Sequence, residues 1–281
     1  MDLPPPIVLE YAQDHEYQRL HLWLPEKIGS GPIPLVVFLS GGGWSGPQTL
    51  PTVPTAGAEF LARGFAWAQA GYAWSNMPGP LNPATFPVPE DDARKIVSFF
   101  RDGGHGRVGL DFVALDGRSA GSFACIWAAT QPNAVGRITR PNAIMVAQLA
   151  GHWYPALVQS VGSDMAKHIA WPTAQLQNVP MSIQVAASPY TWIANRPPLV
   201  PAHITGAQEP TAISGWANPT TVAGLVPIGH DGWNALALHQ QLLRTNPAHV
   251  AHGVYIDGTP PAEAAAHRAA WLRRHYDVGN L

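Results

Sequence analysis

Cysteine is nearly absent: Cys125 is the only one in 281 residues. No internal disulfide can form, so an oxidising compartment is neither required nor excluded. Charge is scarce as well. Charged side chains make up 12% of the chain, about half the share of an average globular protein. The formal net charge of −2 lacks the basic excess that a phosphate backbone attracts, which argues against nucleic acid as a partner. No apolar run is long enough to cross a bilayer, and Met1–Pro6 carries no basic residue ahead of an apolar stretch. No membrane span or signal peptide is therefore expected, and the cytoplasm is the default setting. Histidines and acids do not recur on one helical face as a zinc motif would, so no metal is expected. Gly103-Gly104-His105-Gly106 lacks the lysine of a phosphate cradle, and no cofactor is implied. There is no internal repeat, low-complexity tract or linker, which predicts one domain over 1–281.

What the chain does have is 46% hydrophobic residues, enough for a broad core and for an apolar patch that takes substrate or a second subunit. Ile7 to Gln13 and Glu16 to Leu24 alternate, which predicts a half-exposed antiparallel hairpin. Leu35–Leu39, Phe65–Tyr72, Phe112–Asp116, Ala143–Leu149, Pro197–Gly206 and Val250–Ile256 read as buried strands. Between them lie helical patterns at Thr55–Arg63, ending before Gly64, at Glu90–Phe100 with acids in its first turn, at Ala120–Thr130 and at Trp233–Arg244. Ala262–His275 closes the chain as an amphipathic helix. Alternating strands and helices predict an α/β fold with a mostly parallel sheet covered on both faces. Residues 152–196, rich in Trp, Pro and polar residues, read as a small cap-like excursion.

The chain is organised around Phe112–Ala124. A buried strand runs into Gly117-Arg118-Ser119-Ala120-Gly121, and a helix follows. A strand that turns sharply into a helix needs small residues beside the bend, because a side chain at Gly117 or Gly121 would strike the adjoining strand or helix. The bend lifts the Ser119 hydroxyl to the top of the sheet as a candidate nucleophile. It also sets the Ala120 amide at a helix N-terminus, where it can donate to a developing oxyanion.

A second motif, Ser40-Gly41-Gly42-Gly43-Trp44, ends a buried strand. Its glycines leave the backbone open to close approach, so the amides of Gly42 and Gly43 can join that of Ala120 around one oxygen. With these residues in view the chain resembles the α/β-hydrolase carboxylesterases and lipases, in the branch of hormone-sensitive-lipase-like enzymes, feruloyl-esterase-like proteins and kynurenine formamidases. Gly41-Gly42-Gly43-Trp44 match that branch's His-Gly-Gly-x-Trp, with Ser40 where the family has histidine. Tyr72, Phe86-Pro87 with Asp92, and Ser119-Ala120-Gly121 match further family positions.

The resemblance implies an α/β-hydrolase fold with an eight-stranded sheet and a serine carboxylic ester hydrolase acting on small to medium acyl or aryl esters. An aryl formamide is the neighbouring substrate class. The other class of function is a hydrolase-fold protein that binds a ligand without turnover. A serine needs a histidine to accept its proton and an acid to orient that histidine. By resemblance Glu209, in Gly206-Ala207-Gln208-Glu209-Pro210, takes the acid position. His230, between Gly229 and Asp231-Gly232, is the favoured base. His252 and His267 stay open as alternatives, and His230 gains if 222–228 form the eighth strand. Asp116 and Asp231 are read as structural, Asp92 as a loop tie, and Cys125 as core. Trp44, Trp153 and Trp233 are candidates for an aromatic pocket, with His152 beside them.

Overall fold

The computed structural model describes residues 5–42, 55–74, 77–81, 84, 86–147, 200–205, 238, 242, 250–251 and 261–276. The expected cap at 152–196, the stretch 222–228, and Gly43, Trp44, His152, Trp153, Glu209, His230, Asp231, Trp233 and His252 lie outside the described residues.

Among the described residues eight strands form one sheet: β1 (Ile7–Glu10), β2 (Arg19–Trp23), β3 (Ile33–Leu39), β4 (Ala66–Ala70), β5 (Val108–Arg118), β6 (Ala143–Ala147), β7 (Ala202–Thr205) and β8 (Val250–Ala251). Their spatial order is β1-β2-β4-β3-β5-β6-β7-β8. The hairpin pairs antiparallel, Ile7 opposite Leu22, and β2 pairs antiparallel with β4. Every other neighbour is parallel. The central strands are buried on both faces, and accordingly Leu35-Val36-Val37 and Val113-Ala114-Leu115 are continuous apolar runs rather than alternating ones.

Helices cover both faces. They include α1 (Thr55–Leu61), α2 (Val88–Arg101), α3 (Ala120–Thr130) and a C-terminal helix, α4 (Pro261–His275). α2 turns Ala93, Ile96, Val97 and Phe100 inward at helical spacing. They pack with Val37, Leu39, Leu115 and Phe123 in the core on the α2–α3 face. Leu238 and Leu242, four residues apart in the expected 233–244 helix, are helical and join the same core. On the opposite face Val36, Trp67, Ala114 and Met145 pack with Phe60 of α1 and with Ala269, Trp271 and Leu272 of α4. Among the described residues no helix is long and apolar enough to cross a membrane.

β5 is longer than its apolar run. Val108 already pairs with Ile33, and the register shifts between Ile33 and Leu35 as Gly109 takes φ +68°. The sequence Val-Gly-Leu-Asp breaks the apolar pattern there and hides the start of the strand. β7 is Ala202–Thr205, directly after Pro201, which has no N–H to give a ladder.

The order also fixes where a ligand site belongs. From β3 the chain goes to β4 on one side and returns to β5 on the other. In open α/β sheets the C-terminal edge beside such a reversal is where ligands bind. The loop after β3 begins Ser40-Gly41-Gly42, and Ser119 follows β5.

Candidate active site

The bend at Ser119 has the geometry that its small neighbours require. Ser119 holds φ +52° and ψ −118°, and it is the sole non-glycine with positive φ among the described residues. Such a conformation costs on the order of 1–3 kcal/mol and persists only where the surroundings over-determine it. They do. The Ser119 amide donates to the Ala147 carbonyl at the end of β6, 3.0 Å away, and its carbonyl accepts the Ser122 amide at 3.0 Å. The buried Ser122 hydroxyl lies 2.9 Å from the Gly117 carbonyl and 2.8 Å from that of Ala147. A Cβ at Gly117 would sit 2.5 Å from the Gly121 carbonyl oxygen, and one at Gly121 only 2.0 Å from that of Leu39. α3 therefore starts pressed against β3 and β5.

α3 is apolar on nearly every side and buried over Ala120–Ile126, as befits a helix between sheet and α2. Ala120 is its first residue, and first-turn amides have no carbonyl partner within the helix. The Ala120 amide directly follows the half-buried Ser119.

The loop after β3 comes into direct contact with this bend. A Cβ at Gly41 would lie 2.7 Å from the Ser119 Cβ and 3.5 Å from its Oγ, so only a glycine lets the backbone pass. Gly42 follows at φ +155°. Tyr72, fully buried just beyond β4, donates its phenol hydrogen to the Ser40 carbonyl at 2.6 Å. Burial, with the Glu90 charge adding, pushes the Tyr72 phenol well above its usual pKa. Thus Ser119, Gly42 and Ala120 share one end of β3 and β5. Of the expected site residues, Gly43, Glu209 and His230 are outside the described residues.

Asp92 is a tie, as its position suggested. Its Oδ2 accepts the Ala73 amide at 2.9 Å and the His15 Nε2 contact at 3.0 Å. Its Oδ1 accepts Gln18 at 2.8 Å and Lys95 at 2.9 Å. Burial alone would raise its carboxyl; the His15 bond, the Lys95 charge and the Ala73 amide outweigh that and hold it below the usual range.

Asp116 points to the other face, 3.4 Å from Arg268 of α4. Burial raises its carboxyl despite that cation. Cys125 is buried in α3, and burial together with Asp116 pushes its thiol well up, the opposite of a reactive thiolate. His267 is exposed on α4. His203 in β7 is buried against Trp271, and burial with the nearby Arg268 depresses it to about 3. Sequence reasoning passed over Ser122 and the direction of Tyr72. Ser122 was signalled by a hydroxyl in the first turn of an otherwise apolar helix.

An eight-stranded, mostly parallel sheet, helices on both faces and a strained serine at a strand-to-helix bend define an α/β-hydrolase fold. The chain belongs to the BD-FAE family, whose profile matches residues 20–207. That family is esterase-like, and the chain is a carboxylesterase-type hydrolase. Solved structures share the fold at low identity. Esterase B from Lactobacillus rhamnosis, inhibited by C6-C4 SN3, is 16% identical with a TM-score of 0.65, over 98% of this chain and 86% of that one. Thermogutta terrifontis esterase 2, phosphonylated by sarin, is 14% identical with a TM-score of 0.64, over 99% and 97%. A bifunctional GH43-CE protein of Bacteroides eggerthii is 15% identical with a TM-score of 0.63. The match takes in 95% of this chain and spans 38% of that longer protein. No curated protein matches.

Proposed function

We propose that this hydrolase is a serine carboxylesterase cleaving small to medium acyl or aryl esters. Ser119 attacks the carbonyl, His230 takes its proton, and Glu209 orients the imidazole. The amides of Gly42, Gly43 and Ala120 receive the oxyanion, and water then releases the acyl group. No metal or cofactor takes part in this scheme. A single-domain organisation and a cytoplasmic setting belong to the same proposal.

The observation that carries it is Ser119 at φ +52° with the Gly41 backbone against it. A strained serine between a glycine loop and a helix N-terminus is what acyl transfer requires, and what an ordinary turn has no reason to maintain. The sarin-phosphonylated esterase of the same fold makes an organophosphonate the natural probe. One observation favours a second assignment of the base. The strand paired with β7 is Val250–Ala251, and His252 follows it directly in sequence.

Turnover of p-nitrophenyl acetate and butyrate by wild type, Ser119→Ala, His230→Ala and His252→Ala tests both points. Ser119→Ala is expected to lose about ten-thousand-fold or more in kcat, and the true base about as much. A dead His252→Ala beside an active His230→Ala moves the base to His252 and leaves the reaction intact. No turnover by wild type, with no phosphonate on Ser119, overturns hydrolysis in favour of ligand binding.

A further inference from the structure

We propose that Tyr72 is a positioning residue for the oxyanion loop, setting the Ser40–Gly42 backbone against Ser119 through its hydrogen bond to the Ser40 carbonyl. The role rests on the hydrolase mechanism given above.

Three observations support it. First, the loop runs close beside the bend. A Cβ at Gly41 would fall 2.7 Å from the Ser119 Cβ, so only backbone without a side chain packs there. A loop displaced away from Ser119 carries the Gly42 amide away from an oxyanion. Second, the 2.6 Å bond from Tyr72 fixes the Ser40 carbonyl, immediately before Gly41. Holding the Ser40 carbonyl orients the peptide plane that it shares with the Gly41 amide, and so the direction in which the loop leaves β3.

Third, Tyr72 is itself held on both sides. The Gly71 amide donates to the Arg19 carbonyl at 2.8 Å, and the Tyr11 hydroxyl donates to the Gly71 carbonyl at 2.7 Å. On the far side the buried Asp92 carboxylate accepts the Ala73 amide. A ring on an anchored backbone, buried without exposure, transmits that anchoring to the loop rather than following it. The phenol also remains a donor, because burial and the Glu90 charge hold its pKa well above the usual value. A misplaced donor matters because an oxyanion hole acts by preorganisation: a donor out of line serves the ground state as well as before and the transition state less.

The experiment compares Tyr72→Phe with wild type and with Thr130→Val, on the folded full chain. Thr130→Val removes a comparably buried hydroxyl–carbonyl bond, to Ile126 at 2.9 Å, at the far end of α3. For p-nitrophenyl butyrate, Tyr72→Phe is expected to lose about tenfold or more in kcat with KM within about twofold, against about a hundredfold for removing one donor outright. Thr130→Val is expected to keep its kcat. Amide hydrogen exchange in the peptide 36–43 is expected to quicken in Tyr72→Phe alone.

If Tyr72→Phe keeps its kcat within twofold, or if exchange in 36–43 is unchanged, the hydroxyl only satisfies a buried carbonyl and the proposal falls. A wild type that neither turns over nor reacts with phosphonate overturns the hydrolase mechanism instead. The exchange measurement then still decides whether Tyr72 holds the loop.

Discussion

At the scale of single residues the bend works because three glycines are missing a Cβ where backbone passes. The small residues around Ser119 were legible in the sequence, since nothing larger fits a strand-to-helix turn. Their reasons differ, and only packing separates them. Gly117 makes room for α3, Gly121 for the Leu39 carbonyl, and Gly41 for Ser119 itself. Gly121→Ala places a methyl 2.0 Å from that carbonyl oxygen, so backbone must move. We expect a loss of about 3 kcal/mol, at the upper end for overpacking, seen as a lower urea midpoint with unchanged slope. A variant as stable as wild type would mean that α3 does not approach β3 so closely. What the sequence could not show was the partner of Tyr72, because the phenol and the Ser40 carbonyl are 32 residues apart.

At the scale of elements, the Ser119-bearing strand is gripped from both faces. α3 presses on one, and on the other α4 reaches in with Arg268 to Asp116, three residues before Ser119. The helical pattern at 262–275 was plain from the sequence; which strand it covers was not, since an amphipathic stripe names no partner. Arg268→Ala strands a buried carboxylate, and breaking a buried pair costs about 3 kcal/mol. The sign with pH follows from the raised carboxyl of Asp116. Without Arg268 it rises further, and the penalty operates where the unfolded carboxyl is ionised, above about pH 4. The stability deficit of Arg268→Ala, from urea unfolding, should therefore be larger at pH 8 than at pH 5 and shrink further toward pH 4. A deficit that does not vary with pH would show that the contact contributes packing only.

At the scale of the molecule, Asp92 ties the N-terminal hairpin, the end of β4 and α2 to one buried carboxylate. His15 and Gln18 come from the hairpin's turn, Ala73 from beyond β4, and Lys95 from the next turn of α2. Its folded carboxyl lies below the usual range. The stability it contributes is thus fully present above its unfolded pKa, near about pH 4, and is lost as pH falls through the lower folded value. Asp92→Asn should be less stable than wild type at pH 7 by about 3 kcal/mol. It should also show a flatter decline between about pH 4 and pH 2 by thermal unfolding. An acid limb as steep as that of wild type would move this linkage to other carboxylates. The sequence marked Asp92 as a loop tie from its place after Phe86-Pro87, but not that the hairpin's His15 and Gln18 would be its partners.

The sequence by itself determined most of the described elements, the α/β class and the strained serine, because each follows from local burial period or from the size of adjacent residues. It also determined that the loop after β3 is built of glycine. The tertiary structure decided the strand order, and with it that the ends of β3 and β5 are neighbours, so that Gly41 meets Ser119. It likewise decided that Val250–Ala251 pairs with β7 and that Arg268 answers Asp116. Strand pairing and ion pairing between distant segments depend on which surfaces are left to cover one another. Periodicity along one segment carries no record of that choice.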